Sequence, residues 1–355
     1  MSRFLSEKFS ALTPYVPGEQ PRDKKYIKLN TNESPYPPSD AVMRALNSKE
    51  VNSLRLYPDP ECTSLKEKMT RYYGVLPENI YLAPGSDDVL NFAFSAFCDS
   101  TTPAFFPDIT YGFYKVFAEL YGIKYTEIPL REDFSICPED YYGIGGTIFI
   151  ANPNAPTGIA LSLDEIESIL INNRDNVVVI DEAYVDFGGQ SALALIDKYD
   201  NLLVVRTFSK SRSLAGARLG YAFADKKLIS DLDLLKYSTN PYNISRLTLA
   251  AGEAAICDND YFESMCQKVI STRERIYNSL CALGFDVIPS KTNFLFAKNN
   301  RIDGGKLYAE LKKRGVLVRH FNGERTGAYV RITIGDDNEM DILIQKIEEI
   351  LEETK

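Results

Sequence analysis

The sequence predicts an α/β fold: a large domain with a mostly parallel central sheet flanked by helices, followed by a smaller α+β domain. Three features carry this. From about residue 75 to 225, short β-rich runs alternate with helical patterns, each bounded by Gly, Pro, Asn or Asp, which is the signature of βαβ units. Those runs are almost continuously apolar, as strands buried on both faces must be. After residue 240 the pattern changes to longer helices with a few strands. The 355 residues, 45% of them apolar and 25% charged, provide for about two domains with a core that needs no disulfide or structural metal.

Taken in order, the opening carries Pro14, Pro17, Pro21, Pro35, Pro37 and Pro38. Proline lacks a donor and interrupts helices and central strands, so residues 1–40 read as an extended arm that joins part of the small domain. Residues 41–245 form the expected large domain. Its strands are Ile80–Ala83, Ala104–Phe106, Thr147–Ile150, Val177–Ile180, Leu202–Val205 and Gly220–Phe223. Residues 246–355 form the small domain. A helix over Asp260–Leu283 carries Phe262, Cys266, Val269, Ile276, Leu280 and Leu283 on one stripe, with Arg273 its polar member, and Gly284 stops it. Strands near Asn293–Phe296, Val316–Val318 and Tyr329–Ile332 follow, and an acidic amphipathic helix from about Asp337 closes the chain.

Composition narrows the chemistry. The one histidine, His320, makes a two-histidine metal site impossible, so no metal is expected. A net charge of −9 argues against nucleic acid held by a basic surface. Six cysteines without a C-x-x-C pair suit a reduced, cytoplasmic protein. No apolar run is long enough to span a membrane, and the first 25 residues lack the apolar core of an export signal. Gly143-x-Gly145-Gly146 lacks the preceding strand and spacing of a dinucleotide loop. Proton transfer then falls to Lys, Tyr or a carboxylate.

Ligands of a wound α/β sheet bind beyond the carboxyl ends of the strands. Four loops leave such ends: Pro84-Gly85-Ser86-Asp87, Asn152-Pro-Asn-Ala-Pro-Thr-Gly158, Asp181-Glu-Ala-Tyr184 and Arg206-Thr-Phe-Ser-Lys210. Most lysines are solvated surface charges, but Lys210 follows a buried strand and precedes Arg212 and Arg218. A lysine partly desolvated beside cations can form a Schiff base with a carbonyl, as pyridoxal phosphate requires. That cofactor also needs an acid at its ring nitrogen, which Asp181 can supply; a simple helix cap is the competing account of this residue. Tyr184 suits either packing or a contact to the ring oxygen. Gly85 and Ser86 open a helical pattern whose N–H groups could hold a phosphate, with Arg218 adding charge. Asp87 beside them would resist an anion unless its side chain turns away.

These motifs together, with Arg218-Leu-Gly220, resemble the fold-type I pyridoxal-phosphate aminotransferases. Leu29-Asn-Thr-Asn-Glu-Ser-Pro35, Leu56-Tyr-Pro-Asp59, Thr110-Tyr-Gly112 and Val330-Arg-Ile-Thr333 are similar, more narrowly, to the histidinol-phosphate aminotransferase family. The resemblance runs from about residue 29 to 335. It implies transamination of histidinol phosphate with 2-oxoglutarate in histidine biosynthesis, with pyridoxal 5'-phosphate on Lys210. It further implies Asp181 at the ring nitrogen, Tyr184 at the ring oxygen and Tyr111 on the ring face. Gly85, Ser86, Asp87, Thr207, Ser209 and Arg218 would lie at the cofactor phosphate, with Tyr57 reaching it from the partner subunit of a homodimer. Arg331 would bind the α-carboxylate of glutamate, Arg319 would add a second positive charge for the substrate phosphate, and Asn32 and Glu33 would lie near the imidazole. Ala155 departs from the family pattern, which has Asn there, so the ring-oxygen contact falls to Asn154 from one residue earlier or to Tyr184 alone. His320 has no required role. Other readings on the same frame are a threonine-phosphate decarboxylase, an aromatic amino acid aminotransferase, or a non-catalytic phosphate-binding protein.

Overall fold

A computed structural model describes residues 5–9 and 12–354. Seven strands build the larger sheet: β1 (Ile80–Ala83), β2 (Ala104–Pro107), β3 (Tyr125–Ile128), β4 (Thr147–Ala151), β5 (Val178–Asp181), β6 (Leu202–Thr207) and β7 (Gly220–Ala224). Their spatial order is β1-β7-β6-β5-β4-β2-β3, parallel except where β7 runs antiparallel to both neighbours. The expected strands are all present, several a residue or two longer or displaced. The strand of this sheet missing from the sequence reading is β3. It is the sheet edge, with Thr126 and Glu127 exposed, so it lacks the apolar run that marks the buried strands.

Side chains alternate to the two faces of this sheet, and a separate apolar cluster covers each. One contains Ile80, Leu82, Ile148, Ile150, Val204 and Phe208. The other contains Tyr81, Ala83, Phe149, Val179, Leu203 and Val205. The helix Arg246–Cys257, beyond the expected boundary at 245, packs into the first of these clusters through Leu249, Ala251, Ala255 and Ile256. Gly252 permits this closeness: a Cβ there would lie 2.4 Å from Leu219 and 3.3 Å from Leu65.

A four-stranded antiparallel sheet forms the second layer: β8 (Phe285–Ile288), β9 (Phe294–Asn299), β10 (Arg319–His320) and β11 (Tyr329–Thr333), ordered β10-β11-β9-β8. The long helix Asn259–Ala282 and the closing helix Asp337–Glu353 supply its apolar cover, with Val269, Ile276, Leu280, Leu343 and Ile347 in one cluster. Leu29 belongs to the same cluster, and Ile27–Lys28 pairs with Val316–Leu317, so this part of the arm packs on the second sheet. The polar member of the helix stripe has a joining role. Arg273 is buried, and its Nη1 donates to the carbonyls of Phe187 (2.8 Å) and Thr292 (2.7 Å), linking the loop after β5 to the loop before β9.

Candidate active site

Ala151 at the end of β4, Asp181 at the end of β5 and Thr207 at the end of β6 open on one cavity of about 330 Å³. Ser86, Asp87, Tyr111, Tyr184, Ser209, Lys210 and Arg218 line it too, and Thr31 and Glu33 of the arm close it. A larger cleft of about 1270 Å³, walled in part by Arg273, Lys291 and Lys298, contains none of the strand-end residues. The chemistry therefore belongs to the smaller space.

Asp181 is the acid pole. Its carboxylate accepts from Tyr114 Oη at 3.2 Å and from the Ala183 N–H at 3.2 Å. No lysine or arginine pairs with it among the described residues. Burial therefore pushes its pKa up to about 7, against those two hydrogen bonds. A buried carboxylate so placed calls for a cation. Tyr114, buried on the helix Phe113–Tyr121, is a functional residue that the sequence reading missed. It sits three residues after Tyr111, inside an amphipathic pattern in which an aromatic residue reads as core.

The opposite corner is built for an anion. The helix Ser86–Phe97 begins there, capped by Gly85 without a side-chain bond. The N–H groups of Ser86 and Asp87 have no backbone acceptor among the described residues, as the first turn of a helix requires. Gly85 holds φ +106°, and a Cβ on it would lie 2.6 Å from Arg218 Nη2, so only glycine lets the guanidinium rest on this turn. Gly220 at the start of β7 likewise leaves room for the Gly85–Ser86 peptide, 2.2 Å from where a Cβ would stand. The Asp87 side chain accepts from Tyr111 Oη at 2.7 Å and Arg218 Nη2 at 3.3 Å. It is thereby turned and partly neutralised. Thr207 and Ser209, both buried, complete this wall.

Between the poles lies Lys210, whose Nζ donates to Thr31 O at 3.3 Å and stands 5.7 Å from the Tyr184 ring centre. Its sequence neighbour Arg212 does not join it. That guanidinium lies on the Phe262 ring, 3.9 Å from the centre, and bonds to the Ala255 carbonyl.

Arg331 on β11 faces Arg319 on β10 directly across the antiparallel ladder. Neither is within ion-pair reach of a carboxylate among the described residues. Arg331 Nη2 bonds to Asn30 O at 3.1 Å, while its buried Nε has no partner. Burial holds its pKa below the ordinary arginine value; Arg319 adds to this, while the phenols of Tyr184, Tyr15 and Tyr111 work against it. Two guanidinium groups without a carboxylate partner have the chemistry to take an anion, although neither lines the cavity of about 330 Å³ itself. Tyr15 of the arm is here too, stacked on Phe113 at 4.2 Å, and burial raises its phenol pKa while Arg319 and Arg331 work against that rise. The sequence reading missed it; the available signal was a single aromatic between Pro14 and Pro17. Arg319 also donates to the carbonyls of Val16 and Pro17, so the arm folds over the cavity of its own chain.

Two expected residues, Asn154 and Asn32, are turned away from the cavity. The Asn154 amide donates to Ile109 O (2.9 Å) and Thr157 Oγ1 (3.1 Å) and accepts from Thr110 (2.8 Å); it does not line the cavity, and Ala155 forms the wall in its place. The loop thus consumes the amide for its own structure. Asn32 is likewise spent on Tyr184 and Thr333 and leaves the wall to Thr31 and Glu33. Glu33 itself accepts from Lys28 (2.6 Å) and Thr31 (2.7 Å); burial alone would raise its pKa, but these bonds lower it. Tyr57 is 78% exposed, stacked on Tyr242 at 4.5 Å, and outside this cavity. His320 bonds to Gly327 O at 2.8 Å and does not line the cavity.

A buried acid without a cation, an amine, hydroxyls, helix N–H groups and an arginine suit a flat ligand carrying a cationic ring nitrogen at one end and a phosphate at the other. The comparisons agree with this. The family model for aminotransferase class I and II matches residues 24–347. The chain is 51% identical over 352 residues to the histidinol-phosphate aminotransferase of Brachyspira hyodysenteriae, covering 99% of each chain. It is 52% identical over 343 residues to that of a Marinomonas species, covering 96% of this chain and 97% of the relative. Its fold matches the crystal structure of histidinol-phosphate aminotransferase from Sinorhizobium meliloti in complex with pyridoxal-5'-phosphate, with a TM-score of 0.88, 25% identity and full coverage of both chains. An L-threonine-O-3-phosphate decarboxylase from Porphyromonas gingivalis shares the fold at a TM-score of 0.80 and 22% identity, over 92% of this chain and 99% of that one.

Proposed function

This chain belongs to the class I and II aminotransferases and, among them, to the histidinol-phosphate aminotransferases, and on that premise we propose how its residues serve the reaction. It is a pyridoxal-phosphate-dependent enzyme that exchanges an amino group between histidinol phosphate and 2-oxoglutarate in histidine biosynthesis. The observation that carries the residue assignment is Asp181, an isolated buried acid across one cavity from an amine, Lys210, and an N–H and arginine corner.

When bound, pyridoxal phosphate supplies an electron-withdrawing ring that makes the substrate's α-hydrogen acidic. Asp181 holds the ring nitrogen in its protonated form, and Tyr114 and the Ala183 N–H keep that carboxylate in place. The N–H groups of Ser86 and Asp87, with Thr207, Ser209 and Arg218, hold the phosphate. Tyr111, fixed by Asp87, covers one ring face. Tyr184 donates to the ring oxygen. Lys210 Nζ would anchor the cofactor and take the proton from the substrate's α-carbon. Arg331 and Arg319 bind the α-carboxylate of glutamate in one half-reaction and the phosphate of histidinol phosphate in the other, and Tyr15 shields that subsite from water. Glu33 faces the imidazole end, where a carboxylate accepts a ring N–H.

The test presents histidinol phosphate and 2-oxoglutarate together and measures glutamate. Glutamate is expected, with far less from phenylalanine. Carbon dioxide released from O-phosphothreonine, with no glutamate in the first assay, would replace the aminotransferase by a decarboxylase.

We place residues 41–245 with the adjoining helix Arg246–Cys257 in the cofactor-binding half, and the rest of the carboxyl end plus the arm in the substrate-closing half. We assign the enzyme to the cytoplasm; among the described residues no helix is long and apolar enough to cross a membrane. We also propose a homodimer. Val51, Leu54, Leu56 and Tyr57 are each about half exposed or more on one short segment, an apolar face of the kind that subunits bury. Sedimentation is expected to give twice the chain mass, and Tyr57→Ala to weaken pyridoxal-phosphate binding by about tenfold, the loss of one charge-assisted hydrogen bond. A monomer of full activity would refute the dimer.

A further inference from the structure

Tyr184 Oη accepts a hydrogen bond from Asn32 Nδ2 at 2.9 Å. The direction of that bond is fixed by a third residue. The backbone N–H of Asn32 donates to Thr333 Oγ1 at 3.0 Å, and an N–H can only donate. Thr333 is buried and its hydroxyl has no other acceptor among the described residues, so its proton goes to Asn32 Oδ1, 2.9 Å away. With its oxygen facing Thr333, the amide must present its nitrogen to Tyr184. The phenol oxygen is occupied as an acceptor, and its own proton is left for another acceptor inside the cavity; no bond donated by Tyr184 exists among the described residues.

The relay is built rather than incidental. Asn32 and Thr333 are 1% and 2% exposed. Asn32 stands at φ +55°, a left-handed conformation that Asn tolerates better than most residues. Asn293 Nδ2 holds its carbonyl at 3.1 Å, and Thr333 N is tied to Leu29 O at 3.0 Å. Three parts of the chain meet here: the arm, strand β11 that carries Arg331, and the loop after β5.

We propose that Asn32 and Thr333 are positioning residues that set Tyr184 as a one-way donor to the cofactor ring oxygen. The inference rests on the Tyr184 role proposed above. It matters more in this chain because Ala155 offers no side-chain donor and Asn154 is turned into its loop, so Tyr184 is the donor that remains. An amide that donates to a hydroxyl polarises it and strengthens the bond the hydroxyl makes onward. A donor at the ring oxygen stabilises the more negative, deprotonated form of the attached cofactor, so weakening it raises the pH at which the visible absorbance changes.

The experiment titrates the absorbance of the pyridoxal-phosphate-loaded protein against pH. Tyr184→Phe is expected to raise the midpoint by about one unit or more. Thr333→Val, which adds no charge, should raise it by about half a unit, and Thr333→Ser should restore the native value. Asn32→Gly removes the amide while keeping the positive φ and should match Thr333→Val, which guards against a folding defect in either variant. In the Tyr184→Phe background, Thr333→Val should add nothing. An unchanged midpoint in Thr333→Val and Asn32→Gly beside a shifted Tyr184→Phe, or shifts that simply add in the double variant, would overturn the relay while sparing the functional reading. A wild-type protein with no visible band on adding the cofactor would overturn that reading and the relay with it.

Discussion

Lys210→Ala is expected to lose aminotransferase activity by on the order of 10⁴-fold or more, because one nitrogen both anchors the cofactor and moves the proton. Its fold should survive. The Lys210 ammonium makes one hydrogen bond, to Thr31 O at 3.3 Å, and pairs with no carboxylate among the described residues. The thermal midpoint of the unliganded variant should therefore stay close to that of the wild type, within the roughly 0.5 kcal/mol typical of substitutions outside the core. Absorption after adding pyridoxal phosphate gives the sharper reading. The wild type should show a visible band that moves when glutamate is added, and the variant should show only the spectrum of loosely held cofactor. A variant that keeps the native band and its response to glutamate would remove Lys210 from the chemistry.

Asp181→Asn is expected to split stability from activity. The acid's pKa stands at about 7 in the folded chain against 3.8 for an ordinary aspartate, with burial the main cause. Folded protein thus holds a proton that unfolded protein has released over the interval between those values. Stability from this group is highest below pH 4, falls as pH rises through 7 and stays low above it. Asparagine carries no such penalty. At pH 8 the unliganded variant should be more stable than the wild type by about 2–4 kcal/mol, and at pH 4 the two should nearly coincide. Glu182, also pushed up to about 7 by burial, imposes a similar trend on both proteins and cancels in the difference. Activity should fall by about 10²–10³-fold, because a neutral amide no longer stabilises the protonated ring nitrogen. Melting curves of the unliganded proteins at pH 4 and pH 8 check the first half. Equal melting temperatures at pH 8 would mean that Asp181 is not ionised against its surroundings.

The inner strands could be read from the sequence because burial on both faces demands runs such as Val-Val-Ile or Leu-Leu-Val-Val, and their shortness, β-branched content and flanking turn residues separate them from a buried helix. The loops that follow them could be read for the same reason, since a parallel sheet sends its strand ends to one side. That is how Asp181, Thr207, Ser209, Lys210, Ser86 and Arg218 were drawn to one place. The edge strand β3 escaped because half of it faces solvent. Arg212 and Asn154 were misplaced for a different reason: adjacency along the chain says nothing of where a long or amide side chain turns. Arg212 found two aromatic rings and a carbonyl, and Asn154 found the turn that its own loop had to close.

Taken alone, the sequence determined the fold class, the strands and the cluster of strand-end groups, since each follows from short-range pattern and from the direction of a parallel sheet. Tertiary structure alone decided which groups face one another. Arg319 opposes Arg331 only through the register of an antiparallel ladder. Tyr114 reaches Asp181 only because a helix and a strand pack, and Asn32 directs the Tyr184 proton only because Thr333, three hundred residues later, fixes the amide's orientation. A hydrogen bond depends on distances of a few tenths of an ångström between atoms that the chain brings together from afar, and no local pattern encodes them.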